Sequence, residues 1–283
     1  MAFWLHSGCH AILLYPVANL FTNLSRLENK MATYRLFQEL TRTEAKSLGR
    51  DAVLLFPVGA TEQHGPHLPV GTDHFAVEHI ARAAAEVAAQ VVPVVVAPTL
   101  PFGSSHHHVP FGGTMSLSTE TYYRTVYELC EALILGEYQR IFILNGHGGN
   151  HEIVQLVARD LALKHPVQMA AASYWNIAWE QFVAAEAHIG ARLPGHAGFF
   201  ETSLVMALRP ELIREPRPHR DNVPNSDPRG FARPVRIETH GSWQSFDGYT
   251  DSPDRATTEK GRTFLDAAAR AVGEAIVSFY QAT

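Results

Sequence analysis

Short apolar runs alternate along the chain with longer stretches in which apolar residues recur every three or four positions. The runs have the length and the β-branched content of buried strands, and they span 52–58, 91–97, 140–144 and 167–172. The longer stretches have the spacing of amphipathic helices, and they span 73–89, 118–136, 257–280 and the segment from the turn at 145–150 to 163. This alternation predicts an α/β fold in which helices cover both faces of a mostly parallel sheet.

Two parts of the chain depart from this alternation. Residues 210–256 are dense in Pro, Asp, Asn and Arg, and they predict a long irregular excursion. Residues 1–30 contain a short, interrupted apolar stretch, and no Lys or Arg precedes it as a secretory signal would require. We therefore expect residues 1–30 to be a poorly integrated N-terminal extension and residues 31–283 to form one domain. An ordinary amphipathic first helix is the alternative for the extension.

Composition and charge limit the classes of partner and the cellular location that we expect. The 283 residues carry a net charge of −5 and no block of Lys or Arg, which argues against a nucleic-acid surface. The apolar stretches are too short or too interrupted to span a membrane, so no membrane partner is expected. Cys9 and Cys130 are the two cysteines, so we expect no disulfide framework and a cytoplasmic location.

The residues most typical of a metal site lie between the first predicted buried strand and the helix that follows it. Glu62, His64 and Asp73 share this loop, and open α/β sheets place their ligand sites in such loops. Glu62 and His64 point to one side of an extended segment, and glycine and proline then turn the chain so that Asp73 can return to them. Converging carboxylates and imidazoles suit Zn, Mn or Fe. A polar loop with locally bonded histidines is the alternative.

Three other segments carry candidate chemistry. The turn at 145–150 projects His147 between glycines at the end of a predicted strand, so it either joins the same site or serves helix packing alone. The segment from His196 to Glu201 leads into an apolar helix, where Glu201 either joins an active-site loop or only complements the helix dipole. The run of three histidines at 106–108 is, taken alone, more typical of a solvated loop.

Together these motifs resemble the creatininase family, also called creatinine amidohydrolase-like proteins. The resemblance runs in order from Leu36 to Tyr280. It rests on Glu-x-His-Gly-x-His-Leu-Pro-x-x-Thr-Asp at 62–73, the segment 108–117, Asn-Gly-His-Gly-Gly-Asn at 145–150 and His-Ala-Gly-x-x-Glu-Thr-Ser at 196–203. The resemblance implies a three-layer α/β/α sandwich with a mostly parallel central sheet, two divalent metal ions per chain and a homohexamer.

The resemblance also implies how the metal ions are held. Glu62, Asp73 and His147 would hold one ion. His64 and Asp73 would bind the other, so that Asp73 bridges the two. Zn is the expected metal, with Mn or Fe as alternatives.

The chain departs from creatininase proper at positions that bear on the second metal ion and on the substrate. Creatininase has a Glu where Gly149 stands, so Glu201 is the expected replacement carboxylate. A Trp-Asp pair that helps to hold creatinine is replaced by Arg192 and Leu193, whereas Trp175 matches an aromatic residue on the substrate side. Creatinine is therefore not the expected substrate, and Arg192 would favour an acidic or phosphorylated amide, or a peptide carboxylate.

The predicted function is metal-dependent hydrolysis of a C–N amide bond in a formamide, a cyclic amide or a peptide-like small molecule. Two metal ions can activate water and polarise a carbonyl. His196 is the expected acid for the leaving nitrogen, and Glu201 belongs to the same catalytic group. His108 is expected to contact the substrate or transition state, and Trp175 and Arg192 to bind the substrate.

Other functions stay open at this point. Creatinine amidohydrolase proper and a mycofactocin-type peptide-maturation peptidase are alternatives within the family. A metal-stabilised oligomeric binding scaffold is the alternative without catalysis, although structural zinc sites usually have four protein ligands, often Cys. A mononuclear metalloprotease would need a His-Glu-x-x-His helix, which the sequence lacks.

Overall fold

A computed structural model gives the structure of the chain and describes residues 34–225 and 239–282. The predicted N-terminal extension and part of the predicted irregular excursion lie outside the described residues. Within the described ranges, no helix is long and apolar enough to cross a membrane.

The described residues contain one sheet of five strands, and they are β1 (Arg35–Leu36), β2 (Val53–Val58), β3 (Val94–Val96), β4 (Arg140–Asn145) and β5 (Gln168–Ser173). Their order is β1-β3-β2-β4-β5, and every neighbouring pair is parallel. The predicted parallel sheet is therefore confirmed. The run at 91–97 yields a shorter strand because the N–H groups of Val91 and Val92 bond the carbonyl of Ala88 and extend the end of the preceding helix.

The α-helices of the described residues are α1 (Arg42–Leu48), α2 (Thr72–Ala88), α3 (Thr119–Leu135), α4 (His151–Lys164), α5 (Tyr174–Ile177), α6 (Trp179–Ala184), α7 (Phe199–Leu208), α8 (Ser242–Ser245) and α9 (Thr258–Gln281). The four helices predicted from apolar spacing correspond to α2, α3, α4 and α9. The predicted irregular excursion contains α8 and short 3-10 turns at Pro210–Leu212 and Pro253–Arg255.

Alternate residues of the central strand β2 face opposite layers of helices. Val53 and Leu55 pack in a core that includes residues of α2, α7 and α9. Leu54 and Phe56 pack in a second core that includes residues of α3 and α4. Because successive side chains of a strand point to opposite faces, both faces of the sheet are buried. The α/β sandwich is therefore confirmed.

The start of α2 places Asp73 inside the helix. Thr72 and Asp73 are residue types that often cap a helix, but neither of them caps α2. The N-cap residue is Gly71 with no side-chain cap, and the Thr72 hydroxyl donates to the carbonyl of Pro69 at 2.8 Å. Asp73 therefore lies inside the first helical turn, where the helix dipole favours a carboxylate.

The candidate residues lie at the edge of the sheet formed by the carboxyl ends of the strands. Parallel strands end at the same edge, so the segments that follow them meet there. Glu62 and His64 follow β2, and His147 follows β4. Asp73 and Glu201 are in the first turns of α2 and α7. The topology thus brings five residues from four separate segments to one place.

Candidate metal centre

His64 is oriented by its own loop. Its Nδ1 lies 3.1 Å from the carbonyl oxygen of Glu62, and because a carbonyl can only accept, Nδ1 carries the proton. When the ring is neutral, as a metal ligand must be, the lone pair of His64 is on Nε2. That atom faces Asp73 Oδ1 at 3.2 Å and Glu201 Oε2 at 3.6 Å. His64 thus presents a ligand nitrogen to two carboxylates.

His147 has the opposite ring orientation, and it also directs one ring nitrogen toward two carboxylates. Its Nε2 lies 3.2 Å from the carbonyl oxygen of Ser104, so Nε2 is the donor, and in the neutral ring Nδ1 has the lone pair. Nδ1 faces Asp73 Oδ2 at 3.1 Å and Glu62 Oε1 at 3.2 Å. The side chain of Asn145 fixes the turn, since its amide donates to the His147 carbonyl and its oxygen accepts the His147 N–H.

The carboxylates between these imidazoles have buried oxygens that no described donor satisfies. Glu62 Oε1 and Oε2 and Asp73 Oδ2 are buried without a hydrogen-bond partner, and so is His64 Nε2. Leaving such atoms unpaired in a protein interior is costly. Ligand atoms of His64, Asp73 and Glu201 lie within 4.8 Å of one another, as do those of Glu62, His64 and His196. The donor set and its unpaired atoms fit bound cations.

The pKa shifts describe a cluster that retains positive charge. Burial opposes charge on His64, but Asp73 and Glu201 outweigh it and raise its pKa to about 10. Burial likewise opposes charge on His147, and Glu62 and Asp73 raise its pKa well above the usual value. The pKa of Asp73 is held below its usual range by His64 and His147 despite burial. Burial, reinforced by the neighbouring carboxylates, raises the pKa of Glu201 to about 8.

His108 and His196 lie beside the cluster and share one glutamine. The side-chain oxygen of Gln63 accepts the N–H of Gly65 at 2.9 Å, which fixes the orientation of the amide. Its nitrogen therefore donates to His108 Nδ1 at 2.9 Å, and His108 Nε2 carries the proton, 3.5 Å from Glu62 Oε1. His196 Nε2 lies 2.9 Å from the Gln63 carbonyl and donates to it. His196 Nδ1 then has the lone pair and lies 3.6 Å from Glu62 Oε1.

The site also includes residues that no sequence pattern marks as functional. Gln63 is neutral and lies inside a recognised motif, so no local signal marks it. His107 belongs to the histidine run, and its ring lies parallel to that of His147 with centroids 5.9 Å apart. Trp243 of α8 lies 4.7 Å from the ring of His108 and 5.5 Å from that of His196. Nothing in the irregular excursion distinguishes Trp243 before its contacts are seen.

Trp175 and Arg192, the two other residues predicted to bind substrate, have the following contacts. Trp175 is 5% exposed and packs in the hydrophobic core, edge to face with Tyr174. The guanidinium of Arg192 lies over the ring of Phe246 at 4.7 Å, and its backbone N–H donates to Asp251. The contacts of these two residues thus run to the core and to a neighbouring loop, whereas the predicted ligands, His108 and His196 converge.

Gly149 makes the closest backbone approach in the site. A Cβ atom at this position would lie 2.1 Å from the carbonyl oxygen of Ser104 and 2.6 Å from His147 Nε2. Real Cβ atoms do not come this close to other atoms, and a backbone carbonyl cannot turn aside as a flexible side chain can. A side chain at position 149 is therefore incompatible with the loop that contains Ser104.

Comparison with known proteins gives this site a context. A sequence model of the creatininase family, described as creatinine amidohydrolase, matches residues 38–276. The chain is 28% identical over 251 residues to creatinine amidohydrolase from Pseudomonas putida, covering 82% of this chain and 92% of that protein. It is 29% identical over 223 residues to the mycofactocin precursor peptide peptidase from Mycobacterium tuberculosis (strain CDC 1551 / Oshkosh), covering 76% of this chain and 80% of that protein.

Solved structures agree with the sequence match. The crystal structure of creatinine amidohydrolase (creatininase) superposes with a TM-score of 0.68 at 27% identity, covering 90% of this chain and 100% of that chain. A mutant creatininase of Zn-Zn type gives 0.68 at 27% identity, covering 86% and 97%. A manganese creatininase gives 0.65 at 26% identity, covering 87% and 98%. With the family match extending over most of its length, this chain belongs to the creatininase family.

Proposed function

We propose that this protein is a hydrolase of C–N amide bonds that holds two divalent metal ions. The observation that carries the proposal is the position of Asp73 between two imidazoles. Its Oδ1 faces His64 Nε2 at 3.2 Å, and its Oδ2 faces His147 Nδ1 at 3.1 Å. A carboxylate whose two oxygens face two separate ligand nitrogens has the arrangement of a bridging ligand in a two-metal site.

Each side of Asp73 has its own candidate ligands. Glu62 and His147 would hold one ion with Asp73, while His64 and Glu201 would hold the other. Carboxylate oxygen and imidazole nitrogen suit Zn, with Mn or Fe as alternatives. The zinc and manganese forms of solved creatininases support the same choice.

The chain's own residues would manage the protons of amide hydrolysis. Metal ions at this site would supply acidified water and a Lewis acid for the amide carbonyl. Burial, together with the nearby charge of His64, holds the pKa of His196 well below its usual value, so His196 starts neutral. Its Nδ1 has the lone pair that faces the carboxylate of Glu62. His196 can therefore take a proton from water first and then pass it to the leaving nitrogen.

His108 is suited to a different task. Burial lowers its pKa to about 2, so the ring stays neutral, and the amide of Gln63 fixes its proton on Nε2. A neutral imidazole with a fixed N–H is a hydrogen-bond donor for a carbonyl oxygen that gains negative charge. We assign His108 to substrate or transition-state contact. Trp243, whose ring lies against His108, would line the same side of the substrate.

The proposed substrate is an amide other than creatinine, such as a formamide or a peptide-like amide. Leu193 lies at a position where creatininase grips its substrate, and it is 4% exposed in the hydrophobic core. Arg192 is engaged with Phe246. Gly149 cannot be replaced by a carboxylate residue while the loop at Ser104 keeps its position. The homohexamer, the cytoplasmic location and the role of residues 1–30 stay predictions.

Metal analysis of purified variants tests the proposal. Plasma emission should find two equivalents in the wild type, close to none in Asp73→Ala and about one in His64→Ala. Asp266→Ala removes an exposed carboxylate of α9 and should keep two equivalents. If Asp73→Ala retains two equivalents, Asp73 is not the bridging ligand.

An activity panel separates the enzyme from a binding scaffold. The zinc- or manganese-loaded protein should cleave a formamide or a peptide-like amide, and Glu62→Gln should be inactive. Full metal content without hydrolysis of any formamide, cyclic amide or short peptide would favour the scaffold.

A further inference from the structure

We propose that His107 is a further ligand of the metal ion held by Glu62 and His147, and that its loop fills the place of the side chain absent at position 149. This inference rests on the proposed metal centre. It adds a residue to one side of that centre and leaves the other side unchanged.

Geometry places His107 with those two ligands. A ring nitrogen of His107, a carboxylate oxygen of Glu62 and a ring nitrogen of His147 lie within 4.8 Å of one another. The two imidazoles are parallel, with planes 5° apart and centroids 5.9 Å apart. Both oxygens of Glu62 are buried without a hydrogen-bond partner, so this carboxylate faces a space that a cation would fill. A carboxylate and two imidazoles around such a space form a recurrent zinc ligand set.

The backbone at position 149 shows how the loop that carries His107 approaches this side of the site. A Cβ atom at Gly149 would lie 2.1 Å from the Ser104 carbonyl and 3.2 Å from Cε1 of His107. The loop at 104–107 thus occupies the volume through which a side chain at 149 would have to reach the metal. That loop also holds the ring of His147, because the Ser104 carbonyl accepts its Nε2–H. The same backbone that excludes a carboxylate at 149 presents His107 to the site.

The two neighbours of His107 are committed to other partners. His108 Nδ1 accepts from Gln63, which leaves only its N–H on the side of Glu62. His106 is exposed, and its Nδ1 lies 2.8 Å from the hydroxyl of Ser116. Of the three histidines, His107 is the one whose ring nitrogen groups with a carboxylate oxygen of Glu62 and a ring nitrogen of His147.

The test replaces His107 by Phe, which keeps a ring against His147 and removes both nitrogens. His106→Phe is the matched control, since it removes an exposed histidine from the same loop. Metal-free forms of both variants and of the wild type are titrated with Zn²⁺ by calorimetry against a competing chelator. Co²⁺-loaded forms are compared by visible absorption, which reports the ligands of the ion. Thermal melting of the metal-free forms checks that the fold is intact.

We expect His107→Phe to bind one Zn²⁺ as the wild type does and the other about 100-fold more weakly, because residues that only orient ligands already contribute 10–100-fold to metal affinity. Its Co²⁺ spectrum should change for one ion. His106→Phe should match the wild type in both measurements. Two wild-type affinities and an unchanged Co²⁺ spectrum in His107→Phe would overturn the assignment of His107 alone. A wild type that binds no Zn²⁺ would instead overturn the proposed metal centre.

Discussion

Thr250 holds the backbone of His196 from both sides. The His196 N–H donates to Thr250 Oγ1 at 2.9 Å, and the Thr250 N–H donates to the His196 carbonyl at 2.9 Å. The adjacent carboxylate of Asp251 accepts the N–H of Phe199 at 2.6 Å, in the first turn of α7. The segment at 250–251 therefore fixes both His196 and the start of the helix that carries Glu201.

We expect Thr250→Val to destabilise the fold by about 1–3 kcal/mol, the cost of a buried donor left without its acceptor. Valine keeps the shape of threonine and removes only the oxygen that accepts the His196 N–H. Thr263→Val, at an exposed site of α9, is the control and should change the free energy of unfolding by less than about 0.5 kcal/mol. Urea denaturation measures both. Equal stabilities of the two variants would show that the Thr250 hydroxyl does not hold His196.

Creatinine should be a poor substrate compared with formamides or peptide-like amides. A site built to hydrogen-bond its substrate can discriminate by roughly 10⁴–10⁵. The sequence predicts that this chain lacks the residues with which creatininase holds creatinine. Steady-state kinetics of the zinc- or manganese-loaded protein on both substrate classes measures the difference. A kcat/KM for creatinine of about 10⁴ M⁻¹s⁻¹ or more, in the common enzyme range, would restore creatinine as the substrate.

A protein that starts at Met31 should fold and bind metal as the full chain does. No motif of the site lies before that residue, and the family match begins at 38. The melting temperature should stay within about 2–4 °C of the full chain, the shift that 1 kcal/mol produces in a domain of this size. Loss of soluble protein or a larger drop would show that residues 1–30 contribute to the fold.

His67 should make stability depend on pH. Burial lowers its pKa to about 4 from an ordinary value of 6.5, and its Nε2 pairs with the hydroxyl of Thr202 at 2.9 Å. Between those two values the unfolded chain binds a proton that the folded chain does not. Stability therefore falls as pH drops from about 6.5 to about 4, by up to about 3 kcal/mol from this residue.

His67→Gln should flatten that dependence, because glutamine keeps a hydrogen-bonding group and does not titrate. The difference between variant and wild type is measured by urea denaturation of the metal-free proteins. The pH values lie between about 4 and 7, roughly the range in which histidine titrates. Parallel curves would mean that His67 titrates alike in the folded and unfolded chain.

The sequence allowed the sheet and its edge to be predicted because those features have local causes. The β2 and β4 runs are uninterrupted and apolar, and parallel strands must end at one edge. Contacts between distant segments cannot be predicted in this way, because no pattern of neighbouring residues marks them. The amide of Gln63 reaches His108, His196 and Gly248, which are 45, 133 and 185 residues away.

Trp175 shows why an aromatic residue is hard to assign from sequence. Its position in a family-like segment predicts a substrate contact, and the structure shows that it packs in the core beside Tyr174. Aromatic residues have the same local signature in a core and in a binding wall, since burial favours both. Only the packing of α5 against its neighbours distinguishes the two environments.

The close approach of Gly149 to the Ser104 carbonyl has an evolutionary consequence. Any side chain acquired at 149 would have to displace the 104–107 loop, and with it the acceptor that orients His147. A substitution at 149 would therefore disturb the orientation of His147 as well, so a side chain at 149 and a different path of the 104–107 loop should appear together. Across relatives, glycine at the position of Gly149 should accompany a loop that keeps a carbonyl at the position of the Ser104 carbonyl.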